Sequence, residues 1–171
     1  MDRSESELLL SEFRLRLQRV RRCVMAEWTG VAVQTVNPGE SIVFTENPVP
    51  CNRGLILHRE DSGAFLLKGS GNAQRRCCCK PAVVNYMADF GANIAIPTGE
   101  TVGPISVAFA LDGNTLNGTE MEVTPAAVEQ FFNVSRAANV PIWAGCCQTL
   151  SIRNTSTVPI LVEAANLVVQ R

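Results

Sequence analysis

The sequence predicts an all-β fold, a two-sheet antiparallel sandwich or jelly roll, behind a short N-terminal helix. Three observations carry this. From Trp28 onward, Gly and Pro punctuate short runs rich in β-branched residues, with no sustained helical period. Several of those runs alternate apolar and polar side chains at period two. Turn signals recur at short spacing and no crossover helices intervene, which separates a sandwich or jelly roll from an α/β sheet. The 171 residues suit one domain with an appended segment. The boundaries read from the sequence are 1–27 for a helical tether or oligomerisation segment and 28–171 for the β domain. A chain of this length buries a core without needing disulfides or metals.

The first element is the helix. Ser4 or Ser6 can cap it, and Glu5 and Glu7 suit the positive end of the helix dipole. Arg14, Arg16, Arg19, Arg21 and Arg22 gather toward the other end. Leu10, Phe13, Leu17, Val20 and Val24 form a seam of about two heptads, shorter than the three or more that define a coiled coil. Three readings stay open: a helix packed on a neighbouring surface, a self-associating stub, or a helix lying on a membrane surface.

The strands follow. "SIVFTE" at 41–46 puts Ile42 and Phe44 on one face. "GLILHRE" and "AFLLKG" flank Asp61-Ser62-Gly63, a hairpin signal. In "VVNYMADFGANIAI", Val84, Tyr86, Ala88, Phe90, Ala92, Ile94 and Ile96 share a face, and Gly91 on the other marks a candidate bulge. In "PISVAFALDG", Ile105, Val107, Phe109 and Leu111 alternate with Ser106, Ala108, Ala110 and Asp112. Asp112-Gly113 is a turn, with "TEMEVT" as the return strand. "PAAVEQFFNVSRAANVPIWAG" opens like a capped helix at Thr124-Pro125 but reads on balance as a strand with a bend. "QTLSIRN" and "PILVEAANLVVQR" close the chain around a turn near Ser156-Thr157. The last strand is apolar on both faces between Ile160 and Val169, which predicts cover on both sides.

Composition points the same way. Hydrophobic residues are 46% and charged residues 18% of the chain, against about 25% charged in average soluble domains. That favours large buried contacts, including contacts between subunits. A net charge of −1 leaves no field to draw the chain onto nucleic acid. No apolar run reaches the ~20 residues of a bilayer span, and the N-terminus lacks the pattern of a secretory signal.

The run from "VNPGESIVFTENPVPCNRGLILHREDSGAFLLKGS" through "YMADFGANIAIPTGETVGPISVAFALDGNTL" to "CCQTLSIRNTSTVPILVEAANLVVQR" resembles the jelly-roll heads of the tumour necrosis factor and complement-type superfamily, in its bacterial form. Such heads end collagen-like spore-surface proteins, and similar modules occur in phage and prophage structural proteins. The resemblance covers about residues 28 to 171. It implies an all-β, two-sheet antiparallel jelly-roll sandwich and a homotrimer around a threefold axis. It also implies a non-catalytic structural or adhesive role as a phage or bacterial surface fibre head, located on a virion or cell surface without a signal peptide. Ile160, Val162, Leu167 and Val169 are the expected trimer-interface residues. The implied partners are sister chains, a larger virion or surface assembly reached through the N-terminal helix, and a host-surface ligand. Nucleic acid, membrane insertion and cofactors are not implied. Two features depart from the family: no Gly-X-Y stretch precedes the head, and the triple-cysteine run belongs to no family pattern.

That run, Cys77-Cys78-Cys79 between Arg75-Arg76 and Lys80, carries the alternative reading: a metal- or thiol-dependent enzyme. Successive strand residues point to opposite faces, so Cys77 and Cys79 could converge, with Cys146 and Cys147 as further metal ligands. The basic flanks would lower the thiol pKa of an exposed loop and favour disulfides within or between chains. Free thiols, with 146–147 buried as small hydrophobes, are the third option. His58, the sole histidine, reads as a half-exposed strand residue rather than a base for a nucleophile. "GSGN" at 69–72 lacks the rest of a phosphate loop. Asn117, Asn133 and Asn154 match the glycan-acceptor pattern but read as turn residues. The loops at 61–63, 69–81 and 112–119 are the expected display surfaces.

Overall fold

The computed structural model describes residues 25–50, 55–59, 62–69, 83–143 and 147–171. The predicted helix, its seam Leu10, Phe13, Leu17, Val20 and Val24, and Cys77, Cys79 and Cys146 lie outside the described residues.

Two six-stranded antiparallel sheets pack face to face. The first runs β10 (Phe132–Trp143), β6 (Val83–Ala95), β12 (Ile160–Gln170), β1 (Met25–Gly30), β3 (Glu46–Val49), with β2 (Gln34–Val36) on the start of β12. The second runs β4 (Ile56–His58), β5 (Phe65–Lys68), β11 (Cys147–Asn154), β7 (Ile105–Leu111), β8 (Asn114–Thr115), with β9 (Met121–Val123) also on β7. The described residues contain no helix. The chain passes from one sheet to the other after β3, β5, β6, β9, β10 and β11, so it crosses the core repeatedly, as a jelly roll requires. β1 begins at Met25, three residues before Trp28, and pairs with the end of β12 through Met25 and Gln170.

The core forms where the period-two faces meet. From β6, Tyr86, Ala88, Phe90, Ala92 and Ile94 are buried against Ile105, Val107 and Phe109 of β7. Phe90 meets Phe109 edge-on at 6.4 Å, the geometry favoured by the ring quadrupoles. At one end, Trp28 of the first sheet packs on Phe65 of the second at 4.7 Å. Phe44 adds an edge contact to Phe65 at 5.3 Å. Ile42 and Phe44 are both buried, as the alternation in 41–46 predicts, although that segment makes only isolated bridges before β3. Gly63 lets the β4–β5 hairpin close on this segment. A Cβ there would stand 2.3 Å from the Ile42 carbonyl oxygen.

Two expectations need correction. The run from Phe132 to Trp143 is one strand held in unbroken register against β6, without the expected bend. The turn lies before it, where Glu129 adopts a positive φ. The bulge predicted at Gly91 sits on the partner strand: β12 takes three steps from Glu163 to Asn166 while β6 takes two, and Ala164 has φ 51°. That extra residue changes the phase of β12. Ile160 and Val162 point inward before it, and Ala165, Leu167 and Val169 after it. Much of the apparent two-sided apolarity of β12 is therefore one face read in two phases. On the opposite face of β7 from its core residues, Ser106, Ala108 and Ala110 are buried too.

The corner between β11 and β12 is held by Asn154, which is 1% exposed. Its Nδ2 donates to the carbonyls of Val36 (2.9 Å) and Val158 (3.0 Å), and its Oδ1 accepts from the Ser156 amide at 2.8 Å. Asn154→Ala leaves these groups without partners and should cost about 2–3 kcal/mol, read as a lower urea midpoint at unchanged m value.

Tyr86 joins the two sheets. Its hydroxyl donates to the Lys68 carbonyl at 2.6 Å and approaches that of Leu55 at 3.5 Å. Burial pushes its pKa above the ordinary value, with Arg171 lowering it and Cys147 raising it by smaller amounts. A phenol that holds its proton more tightly when folded stabilises the fold fully below its unfolded pKa of about 10. That contribution is lost as pH rises through the folded pKa. Tyr86 is the only tyrosine. Tyrosinate absorbance should therefore rise at higher pH in the folded chain than in urea, with stability falling over the same alkaline window. Coincident titrations would contradict this.

Candidate functional site

The second sheet carries a cup on its outer face, built by a detour in the chain after β7. Asp112 and Gly113 both have positive φ (51° and 83°), which closes the hairpin into β8. β8 pairs with Ala110 and Leu111, whereas β9 rejoins β7 only at Val107. The Leu116 amide still donates to the Phe109 carbonyl at 2.8 Å, and residues 117–120 then bow away before β9. Gly118 takes φ 77°, and Thr119 Oγ1 donates to the Leu116 carbonyl at 2.7 Å. The bow leaves a recess of about 510 Å³ above Ala108, within the range of roughly 300–1,000 Å³ common for small-molecule sites. Thr115, Leu116, Asn117 and Glu120 line one wall. Arg153, Thr155 and Ser156 line the other.

A polar network fixes the walls. Ser106 Oγ donates to Glu120 Oε1 at 3.0 Å, and Thr155 Oγ1 lies 3.2 Å from the same oxygen and 2.7 Å from Ser106 Oγ. Two hydroxyl protons serve three contacts, so the pair can redirect one bond. Ser156 Oγ accepts from the Ser106 amide at 2.7 Å. Arg153 straps the rim: Nε donates to the Gly39 carbonyl at 2.8 Å, Nη2 to the same oxygen, and Nη1 to the Gly113 carbonyl.

A second surface is the outer face of the first sheet. All four predicted interface residues, Ile160, Val162, Leu167 and Val169, are fully buried between the sheets of a single chain. The face they leave for a neighbour carries Leu161, Glu163, Asn166 and Val168, all half-buried. In register, Val168 lies between Glu27 and Asp89, and Asn166 between Thr29 and Gly91. Asn166 Nδ2 donates to Glu27 Oε1 at 2.6 Å. Toward the Met25 end the face turns apolar. Val83 pairs with Trp143, and Met87 with Gln170, which pairs with Met25; the four apolar side chains are exposed.

Of the seven cysteines, only Cys147 lies among the described residues. It is an exposed free thiol paired with Lys68, not a buried small hydrophobe. Among the described residues no three His, Cys, Asp or Glu side chains are placed to hold a metal. His58 is half-buried as expected. It stacks on Phe65 at 4.6 Å, and its Nε2 lies 2.8 Å from the Ser62 carbonyl oxygen. Of the glycan-pattern residues, Asn154 is the corner staple and Asn117 lines the cup. The sequence places 112–119 among the display loops but gives no hint of the recess. Its one signal is the small-residue face of β7, Ser106, Ala108 and Ala110, which leaves room for a covering loop.

Sheet order and crossovers define a jelly-roll head. No protein-family model matches the chain, and no curated protein sequence matches it. Solved structures do. The globular domain of zebrafish complement 1qA is similar with TM-score 0.58 at 13% identity, over 85% of this chain and 94% of that one. Eiger TNF from S. frugiperda gives TM-score 0.59 at 11% identity, over 88% and 94%. Murine APRIL gives 0.51 at 7% identity, over 86% and 99%. At these identities the likeness is one of fold: the chain has the TNF/C1q-like jelly-roll architecture.

The Arg153 strap has a measurable consequence. Arg153→Met keeps the aliphatic stem but removes the bonds to Gly39 and Gly113, and should lower stability by about 1–2 kcal/mol in urea unfolding. An unchanged midpoint would show that the strap is ornamental.

Proposed function

We propose that the chain is a non-catalytic structural or adhesive head that assembles as a homotrimer and displays its loops multivalently. In this reading residues 1–27 tether the head to a larger assembly, a phage virion or a bacterial surface fibre, and the loops meet a host-surface ligand. The observation that carries it is the outer face of the first sheet. There half-buried Val168 lies next to the exposed apolar group of Val83, Met87, Trp143 and Met25.

An apolar surface of this kind favours association. Its charged members include the carboxylates Glu27, Glu46, Asp89 and Glu163, while β10, at the rim of the same sheet, exposes Arg136. A sister chain presenting that rim to this face would bring opposite charges together. The fold likeness to the TNF and complement heads, and the family resemblance of 28–171, support the same arrangement. Three rigidly held loop sets would bind a repetitive surface with avidity that one set lacks. Among the described residues no helix is long and apolar enough to cross a membrane.

Light scattering on the purified chain should give three times the mass of the 171-residue polypeptide. Val168→Glu, placed between Glu27 and Asp89, should reduce it to a single chain with the β-sheet circular dichroism retained. A wild-type monomer at micromolar concentration ends this reading.

A further inference from the structure

We infer that the cup between the 112–120 bow and the β11–β12 corner binds one neutral sugar residue, a hexopyranose or an N-acetylhexosamine. This gives the display surface proposed above its ligand chemistry and rests on that reading.

The lining selects the class. A sugar hydroxyl is donor and acceptor at once, so it is best met by walls that offer both. Glu120 supplies acceptors: a carboxylate has about four lone-pair sites, and Ser106 and Thr155 engage only one of its oxygens. Arg153 supplies donors. Three of its N–H groups go to the Gly39 and Gly113 carbonyls, out of five on a guanidinium. Asn117 and Thr115 offer an amide and a hydroxyl on the rim.

The charges disfavour simple ions. An anion in the cup faces Glu120, and a simple cation faces Arg153. A neutral polyhydroxyl ligand is compatible with both. Ala108 on the floor and Leu116 on the wall are apolar and suit the C–H face of a pyranose ring. Among the described residues no titratable side chain other than these two lines the recess.

Saturation-transfer NMR tests this, with glucose, galactose, mannose, N-acetylglucosamine and N-acetylgalactosamine as free ligands. At least one should receive saturation, with a Kd near ~1 mM as for weak single-site binding. Ala108→Leu, which fills the floor, should abolish the transfer. Glu120→Gln should weaken binding by about ten-fold or more, as loss of a charged hydrogen-bond acceptor does. Melting curves show whether each variant is folded, and Glu120→Gln decides if Ala108→Leu is not.

Silence from all five sugars, or transfer unchanged in both folded variants, overturns the inference. Light scattering on the same samples separates the two readings. A trimer that ignores every sugar sinks the cup alone, and a monomer that binds one sinks the trimer alone. The same sugar on a dense polymer separates a surface glycan from a free sugar. A gain of ~10²–10⁴ over the free form marks the surface form as the ligand, and the absence of any gain marks the free sugar.

Discussion

The phase of β12 governs this structure. It is the central strand of the first sheet, with β6 on one side and β1 and β2 on the other. Every side chain it sends inward is a core residue. Alternation without a break would turn either Ile160 and Val162 or Leu167 and Val169 toward the outside. The extra residue at Ala164 resolves that conflict, and both halves of the strand bury their large side chains. The local cost is a non-glycine residue at φ 51°. The return is a continuous apolar layer from Ile160 to Val169.

With the inner layer complete, the two outer faces are released for different work. The first sheet keeps an uncovered outer surface, with carboxylates on the face and a cation on its rim. The second sheet breaks its own edge, because β8 and β9 pair with separate stretches of β7. The outward side of β7 is made of Ser and Ala, and a loop can fold over it without meeting bulk. The concavity of the second sheet follows from small side chains at a few alternating positions of β7.

Much of the architecture was legible in the sequence. β6 and β7 announce themselves by alternation, and Asp112-Gly113 and Asp61-Ser62-Gly63 mark real hairpins. What was not legible depended on registry between distant strands. Nothing in "PILVEAANLVVQR" distinguishes a strand covered on both faces from one that changes phase midway. Ala164 carries no local signal such as glycine. The interface residues read from that segment therefore fell in the core. The cup was hidden for the same reason: its walls come from residues about forty positions apart, and the recess exists only because a loop fails to pair where it could have. Cys147 was misjudged because a cysteine is small and apolar enough for either side of a strand.

The antiparallel pairing of Met25 with Gln170 brings the first and last strands of the domain side by side at one pole. The β11–β12 corner, which carries one wall of the cup, lies at the opposite pole, a strand length of ~35 Å away. A pull applied at that corner and resisted at Met25 runs along the strands, so the ladder bonds between β12 and β1 are strained together instead of one after another. Such an arrangement resists shear. Its weak direction is the other one, a force that peels Met25 away from Gln170.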